Sequence, residues 1–325
     1  MKSLRILAAA AATLAMAAGA LSPVSAQDWP TRPVRVLVGF GAGGGTDIVT
    51  RIIADPLSQL LGQPFVVENK PGAGGSLASD IVAKAPKDGY TATMISTGHT
   101  VGAAMMKSLP YDAVKDFAAV AQVANSCFVV VARKDFPAND LKELIALAKA
   151  APDKIKVGTV GIGSTQHLAA SLLEQMAGIK TTHVPYRTTP AVVLGLRNKE
   201  IDYGVDLVHA VIGQVNAGEL KLIAVGGAKR CPSVPNVPTI AESGLPGYSV
   251  SGWYGFAFPA GTPTAIIRKL NGALKQVLTR PDIREKLSKV GAEVDFTTPE
   301  EFQKIIETDT AKWKLVRDKA GLQPK

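Results

Sequence analysis

Glycine residues cluster between a predicted strand and a predicted helix, at residues 38–47. Gly39, Gly41 and Gly44 satisfy the G-x-G-x-x-G spacing of a dinucleotide-binding loop, and Glu68 ends the next predicted strand. The same glycines would let the backbone approach other anions, because the amides at a helix N-terminus attract a carboxylate as well as a phosphate. The pattern therefore has three interpretations, namely a nicotinamide dinucleotide site, a carboxylate site, and a tight turn that binds nothing.

A second glycine-rich loop, at residues 158–165, repeats this arrangement. It follows a predicted strand and opens a predicted helix, and Ser164 is a favourable N-cap residue whose hydroxyl could instead face a ligand. Two such helix N-termini in one chain indicate a cleft that offers hydrogen-bond donors to an anion from both sides.

Predicted strands alternate with predicted helices through the first two thirds of the chain. The strands are expected at residues 34–38, 65–67, 91–95, 128–131, 156–159, 203–205 and 222–225, and the helices at 48–61, 77–83, 141–150 and 164–177. This alternation predicts parallel sheets with helices on both faces. An aromatic strand at 253–259 precedes helices at 263–278, 281–290 and 299–320, the last with a capping box at Thr298 and Glu301. We expect this helical tail to return and pack on the first lobe.

The N-terminus has the pattern of a secretory signal peptide. Lys2 and Arg5 precede an apolar, alanine-rich run at residues 6–20, and small residues at 24–26 predict cleavage before Gln27. We therefore expect an exported, periplasmic protein. Export disfavours the dinucleotide interpretation, because a chain threaded unfolded through a membrane carries no nicotinamide cofactor with it.

The 325 residues are enough for about two domains of roughly 150 residues each. Lys and Arg number 36 against 27 Asp and Glu, a formal net charge of +9 without a dense basic run, so small anions are favoured over nucleic acid as partners. Two cysteines and four scattered histidines exclude a cysteine-rich scaffold and predict no metal site. Cys127 lies in an apolar run, which favours a buried free thiol over a disulfide with Cys231.

Short motifs along the whole chain after the leader match one known family in order. They include W-P-T-R-P-V-R at 29–35, A-G-G-G-T-D at 42–47, V-E-N-K-P-G-A-G-G at 67–75, D-G-Y at 88–90, L-P-Y-D at 109–112, K-D-F at 115–117, H-V-P-Y at 183–186, N-V-P-T at 236–239 and W-Y-G at 253–255. With these motifs the chain resembles the solute-binding receptors of tripartite tricarboxylate transporters, the Bug or TctC-like family. The resemblance implies an α/β, two-lobed periplasmic binding protein (type II-like), in which each lobe is a mostly parallel sheet flanked by helices and hinge strands join the lobes.

The resemblance also implies domain boundaries and a ligand site. Lobe 1 would comprise residues 27–126 and 248–325, and lobe 2 residues 127–247. In the family the first loop and the loop before the second-lobe helix hold the ligand carboxylate, largely through backbone amides and bridging water. The positions so implied are Phe40, Gly41, Ala42, Gly43, Gly44, Gly45, Thr46 and Asp47 in the first loop, and Gly161, Gly163, Ser164 and Thr165 in the second. Asp206 is implied to orient ligand or water, and Tyr186 and Trp253 to lie near the cleft.

Further candidates come from the ends of predicted strands, where cleft residues lie in α/β proteins. Ser96, Thr97 and His99 occupy such a place. His99 and His209 are candidates to hydrogen-bond a ligand carboxylate. Arg187 could form an ion pair with the ligand, although a solvated surface arginine is the alternative. His209 stands where the family commonly has proline, so the ligand is expected to differ from that of some relatives.

Together these features predict a receptor that captures a small organic carboxylate (mono- or dicarboxylate, aliphatic or aromatic) and delivers it to the membrane permease subunits of a tripartite transporter. We expect a monomer without enzymatic activity, cofactor, metal or nucleic-acid partner. The sequence has no G-x-S-x-G motif to support a hydrolase. An NAD-dependent oxidoreductase and an extracytoplasmic carboxylate sensor are the alternatives.

Overall fold

The first sheet begins with parallel strands built from apolar and β-branched residues. In the computed structural model, which describes residues 29–186 and 188–324, β1 (Val34–Val38), β2 (Phe65–Asn69) and β3 (Thr91–Ser96) pair in the order β2–β1–β3. The helices α1 (Gly45–Leu61), α2 (Ser76–Ala83) and α3 (Thr97–Met105) follow these strands. The predicted leader at 1–26, its cleavage before Gln27, and Arg187 lie outside the described residues.

The second sheet repeats the alternation of strands and helices. Its elements are β4 (Phe117–Arg133), α4 (Leu141–Ala150), β5 (Lys156–Val160), α5 (Thr165–Ala177), β6 (Thr182–Tyr186), α6 (Thr189–Arg197), β7 (Tyr203–Leu207), α7 (Val208–Asn216) and β8 (Leu220–Val225). β5 pairs in parallel with β6 and β7, whereas β4 is antiparallel to β7 and β8. The predicted strands and helices of this region are confirmed, but β6, α6 and α7 were not predicted, and neither was α3 beside the first sheet.

A single long strand, β4, belongs to both sheets. Up to Cys127 it pairs with β9 (Ser251–Pro259) and β10 (Ala292–Val294), and from Phe128 onwards with β7 and β8. The returning connection runs beside this switch point, because Gly226 N donates to Phe128 O at 2.8 Å and Val250 N donates to Gly226 O at 2.8 Å. The two-lobed fold class is thus confirmed, while the exact lobe boundaries stay a prediction.

The C-terminal helices are α8 (Thr264–Thr279), α9 (Pro281–Lys289) and α10 (Pro299–Lys319), and α10 begins with the predicted capping box. Phe302 of α10 packs in a core cluster with Leu37 and Trp253 of the first sheet. Farther along, Val316 O accepts a hydrogen bond from Gln175 Nε2 of α5 at 3.1 Å. The tail therefore packs on both lobes, whereas only the first was predicted. None of the helices in the described ranges has the length and apolar content needed to span a bilayer.

Cys127 and Cys231 form a disulfide with Cα atoms 6.0 Å apart. The prediction of a buried free thiol is therefore wrong. The pairing depends on the connection that follows β8. Gly226 in this connection is hydrogen-bonded to Phe128 of β4, and this contact brings Cys231 close to Cys127, the residue before Phe128. The sequence separation of 104 residues hid this proximity.

Candidate functional site

A cavity of about 850 Å³ lies between the two sheets. In the described part of the chain, the N-termini of α1, α3, α5 and α7 open onto it, each at the carboxyl end of the preceding strand. The lining residues at these N-termini are Gly44, Gly45, Thr46, Ser96, Thr97, Gly98, Gly163, Ser164, Thr165, Gln166, Leu207 and His209. The sequence predicted the glycine loops before α1 and α5, and the structure adds α3 and α7 to them.

The helix N-termini differ in how their first-turn amides are satisfied. Ser164 Oγ accepts from His167 N at 3.1 Å, and Gly163 N donates to His167 Nδ1 at 2.9 Å, so the loop before α5 largely satisfies itself. The described N-cap residues of α1, α3 and α7, by contrast, form no side-chain capping hydrogen bond. A carboxylate beside such an uncapped terminus gains about 0.3–1 kcal/mol from the helix dipole alone. The uncapped termini that can attract an anion into the cavity are therefore those of α1 and α3, since Asp206 Oδ1 already accepts from Leu207 N at the start of α7, at 2.8 Å.

One corner of the cavity combines the α1 N-terminus with two side chains. A Cβ atom built on Gly45 would lie 3.0 Å from Tyr254 Oη and 3.9 Å from His209 Nε2, so both polar atoms face this turn. Burial raises the pKa of Tyr254 to about 12, which keeps its hydroxyl protonated and able to donate at neutral pH. Tyr254 was not among the predicted residues, although the aromatic strand that contains it was.

His209 belongs to helix α7 of the second lobe, but its side chain contacts residues of the first lobe. Its Nδ1 lies 3.5 Å from Ser126 Oγ of β4, and a Cβ on Gly291 would approach His209 Cβ to 2.5 Å. Burial lowers the pKa of His209, and the nearby Asp206 carboxylate opposes this by raising it. A half-buried imidazole in the cavity lining therefore bridges the two lobes.

An apolar wall makes up much of the cavity lining. It is formed by Val101, Met105, Met106, Phe128, Val160, Ile162 and Leu207. Among the described lining residues there is no Lys, Arg, Asp or Glu, and His209 and Tyr254 are the titratable ones. The cavity thus combines uncapped backbone amides with methyl, thioether and aromatic groups.

The predicted site residues divide into two groups. Those that line the cavity are Phe40, Gly44, Gly45, Thr46, Ser96, Thr97, Gly163, Ser164, Thr165, His209 and Trp253. Those that do not are Gly41, Ala42, Gly43, Asp47, His99, Gly161, Tyr186 and Asp206. Gly41, Ala42 and Gly43 form the exposed outer part of the loop, so only its helical end reaches the cavity.

His99 is the clearest departure from prediction. Its Nδ1 lies 3.1 Å from Ser79 Oγ and its Nε2 lies 2.8 Å from Ala113 O, so the first-lobe core occupies both ring nitrogens. Burial lowers the pKa of His99 to about 4, against the hydrogen bond to Ala113, which raises it. The structure therefore places His99 outside the cavity lining, as a neutral packing residue of the first-lobe core, and does not support the predicted contact with a ligand.

The two aspartates act behind the cavity wall. Asp47 accepts hydrogen bonds from Gly43 N, Arg51 Nε and Asn69 Nδ2 at 2.9–3.0 Å, which hold the glycine loop in shape. Asp206 is 1% exposed and accepts from Thr189 Oγ1 at 2.7 Å. It also accepts from Gln166 Nε2 at 3.3 Å, and so positions a residue that does line the cavity.

Tyr186 and Gly161 also lie outside the lining. The Tyr186 hydroxyl donates to Glu200 Oε2 at 3.2 Å, and Gly161 N donates to Tyr186 O at 2.9 Å. The first contact ties β6 to the connection between α6 and β7, and the second ties β6 to the loop that follows β5. These residues therefore support the second glycine loop without lining the cavity. Among the described residues no group of three or more His, Cys, Asp or Glu side chains is placed to hold a metal ion.

Comparison with known proteins relates this geometry to one family. Residues 49–322 match the sequence model of the tripartite tricarboxylate transporter family receptor. BugT of Bordetella pertussis is 32% identical over 310 residues, which is 95% of each chain. The solved structure of R. palustris Rpa4515 with adipate is 35% identical, has a TM-score of 0.80, and is aligned over 92% of this chain and 100% of that one. MatC of Rhodopseudomonas palustris with bound malate is 34% identical, with a TM-score of 0.75 over 89% and 99% of the two chains.

Proposed function

The chain belongs to the tripartite tricarboxylate transporter receptor family, and from this premise we propose that it captures a small organic carboxylate and delivers it to the membrane permease subunits of such a transporter. The family consists of periplasmic substrate-binding receptors and not of enzymes. We further propose that the mature chain acts as a monomer in the periplasm after cleavage before Gln27.

The observation that carries the proposal is the meeting of uncapped helix N-termini at one cavity. We place the ligand carboxylate against the first turn of α1, where the amides of Gly45 and Thr46 lie beside Tyr254 Oη and His209 Nε2. Ser96 and Thr97 would add the α3 N-terminus to this anion site. The adipate and malate bound to Rpa4515 and MatC support a carboxylate as the ligand class.

The body of the ligand would lie across the cavity towards the apolar wall. Met105 and Phe128 offer contact there, while the ring of Trp253 and the loop at Gly163–Thr165 would close the remaining sides. Capture would then proceed by hinge closure about the partner switch in β4, beside the returning connection at Gly226. A cavity of about 850 Å³ accommodates either an aliphatic or an aromatic acid.

The contacts of Glu68, whose position suggested a dinucleotide site, do not support that alternative. Glu68 is held by Arg35, whose Nε and Nη2 donate to its two carboxylate oxygens at 2.7 Å and 2.9 Å. This bidentate ion pair engages both carboxylate oxygens, the atoms that would accept from a ribose hydroxyl, in a contact within the protein. Membership of a receptor family excludes the oxidoreductase for the same chain.

Thermal denaturation of the mature chain with a panel of acids tests the proposal. The panel comprises hexanoate, benzoate, succinate, malate, adipate and citrate, so that the number of acid groups and the nature of the body vary separately. At ~100 times its dissociation constant, a bound member should raise the free energy of unfolding by about 2.7 kcal/mol. A folded protein that no member stabilises would contradict carboxylate binding. Unchanged uptake of the bound acid in a deletion strain would contradict delivery to a permease and would favour the sensor alternative.

A further inference from the structure

The hydrogen-bond partners of His209 determine which ring nitrogen carries its proton. Ser126 Oγ donates to Gly291 O at 3.0 Å, because a carbonyl oxygen can only accept. The single hydroxyl proton is thereby used, so the same oxygen can only accept from His209 Nδ1, 3.5 Å away. Neutral His209 therefore carries its proton on Nδ1 and turns the lone pair of Nε2 towards the cavity.

The Nε2 lone pair is unfavourable beside a bound carboxylate. The other polar groups of the corner, which are the α1 amides and the Tyr254 hydroxyl, can all donate to an anion. A carboxylate has only acceptor oxygens, so it repels an unprotonated Nε2. A second proton on the imidazole converts Nε2 into a charged donor and makes the corner complementary to the ligand.

We propose that a carboxylate bound at this corner is held by a doubly protonated His209, so that ligand binding takes up a proton from solvent. The inference rests on the proposed function, since it concerns the same ligand in the same cavity. It adds a pH-dependent affinity to the proposed carboxylate site.

The charged surroundings of His209 are compatible with this proton uptake. Asp206, three residues earlier, is the carboxylate that acts on the ring, and its oxygens are engaged by Thr189 and Gln166. Tyr254 of β9 is the titratable group that shares the Gly45 corner with the ring. The neighbours of the ring from β4, α1 and the α9–β10 turn are the uncharged residues Ser126, Gly45 and Gly291. In the ligand-free protein burial keeps the imidazole neutral, and a bound carboxylate supplies the charge that favours its protonated form.

Isothermal titration calorimetry at pH 7.5 in phosphate and in Tris measures the proton uptake, because the observed enthalpy changes with the ionisation enthalpy of the buffer. The probes are hexanoate, benzoate and adipate, which lack a hydroxyl that could donate to a neutral Nε2. We expect uptake of about 0.5 to 1 proton and a dissociation constant that rises by up to about tenfold per pH unit above pH 7. A bound probe without proton uptake overturns this inference and leaves the proposed function standing. If none of these three probes binds, the inference is overturned. If no acid of the whole panel binds, the proposed function is overturned too.

Two variants test whether His209 is the group that takes up the proton on ligand binding. His209→Gln places a neutral amide donor near Nε2, so binding should persist with no proton uptake and little pH dependence. His183→Gln is the matched control, because His183 contacts Glu174 of α5, away from the cavity lining, and should keep the uptake of the unsubstituted chain. Equal uptake in His209→Gln and the unsubstituted chain overturns the inference. Nitrogen-15 NMR of the unsubstituted, ligand-free protein provides a check that needs no variant, because an Nε2–H tautomer of His209 contradicts the assignment directly.

Discussion

Trp253 Nε1 donates a hydrogen bond of 2.6 Å to Asp309 Oδ2, and this contact joins the cavity wall on β9 to the C-terminal helix α10. The indole is 3% exposed and packs edge-on against Phe302 of the same helix, with ring centroids 5.4 Å apart. Asp309 also forms an ion pair with Lys312 Nζ at 2.6 Å. The position of a cavity-lining residue thus depends on a helix that contributes no lining residue itself.

Asp309→Ala should therefore cost more than the loss of a surface ion pair. It leaves the buried indole N–H without its acceptor, which predicts a loss of about 1–3 kcal/mol in the free energy of unfolding. Lys312→Ala removes the partly exposed partner of the same carboxylate and should cost at most about 1 kcal/mol. Urea denaturation followed by tryptophan fluorescence compares the two variants. Equal losses would show that the indole does not depend on Asp309.

The disulfide between Cys127 and Cys231 should contribute a large part of the stability. It closes a loop with a sequence separation of 104 residues, and the chain-entropy model assigns a loop of that size about 4.7 kcal/mol, with typical losses of 2–5 kcal/mol. Replacing both cysteines by serine should lower the free energy of unfolding by an amount in that range. Reduction of the unsubstituted protein should produce the same loss, and a change below about 1 kcal/mol in both experiments would contradict the bond's contribution.

A methyl group at Gly45 should disturb ligand binding more than folding. Its carbon would lie 3.0 Å from Tyr254 Oη, which displaces the hydroxyl from the corner where we place the carboxylate. Gly45→Ala is expected to weaken acid binding by roughly tenfold, the equivalent of losing one hydrogen bond of about 1.4 kcal/mol. Gly272→Ala on α8 is the matched control, because a Cβ there has open space. That variant should leave affinity unchanged and raise stability by up to about 1 kcal/mol; equal affinities for the two variants would remove the carboxylate from this corner.

His99 makes the stability of the first lobe depend on pH. Burial lowers the pKa of His99 to about 4 in the folded state, while the unfolded chain has the ordinary value of about 6.5. Between these values the unfolded state binds a proton that the folded state does not. The contribution is therefore fully present above pH 6.5, and roughly 3 kcal/mol is lost as the pH falls to about 4. Proton NMR of the imidazole checks the cause, since a His99 resonance that titrates near pH 6.5 would contradict it.

The alternation of β-branched runs and amphipathic segments was sufficient to predict the parallel sheets and most of their helices. The short elements β6 and α7 were missed, because their few residues show no clear period and the surrounding lobe decides their conformation. The Cys127–Cys231 pairing was missed for a related reason. It depends on a returning connection that only the hydrogen bond from Gly226 to Phe128 reveals.

For the site, the sequence located the helix N-termini but not the side chains that complete them. Glycine spacing identified the loops at Gly45 and Gly163, because the residues of the loop itself determine which backbone amides it exposes. Tyr254 and Phe128 reach the cavity from strands β9 and β4, and the direction of a strand side chain depends on the register of the sheet. His99 was misplaced for a different reason. It lies within helix α3, which directs its ring into the core of the first lobe, whereas Ser96 and Thr97 just before it line the cavity.

The most direct test of the carboxylate site is a crystal structure of the mature chain with the most strongly stabilising acid of the panel. We predict a carboxylate oxygen within about 3.2 Å of the Gly45 or Thr46 amide and of His209 Nε2, with the ligand body towards Met105 and Phe128. An acid bound outside this cavity would contradict the carboxylate site. So would an acid that turns its carboxylate towards the apolar wall and leaves the α1 N-terminus unoccupied.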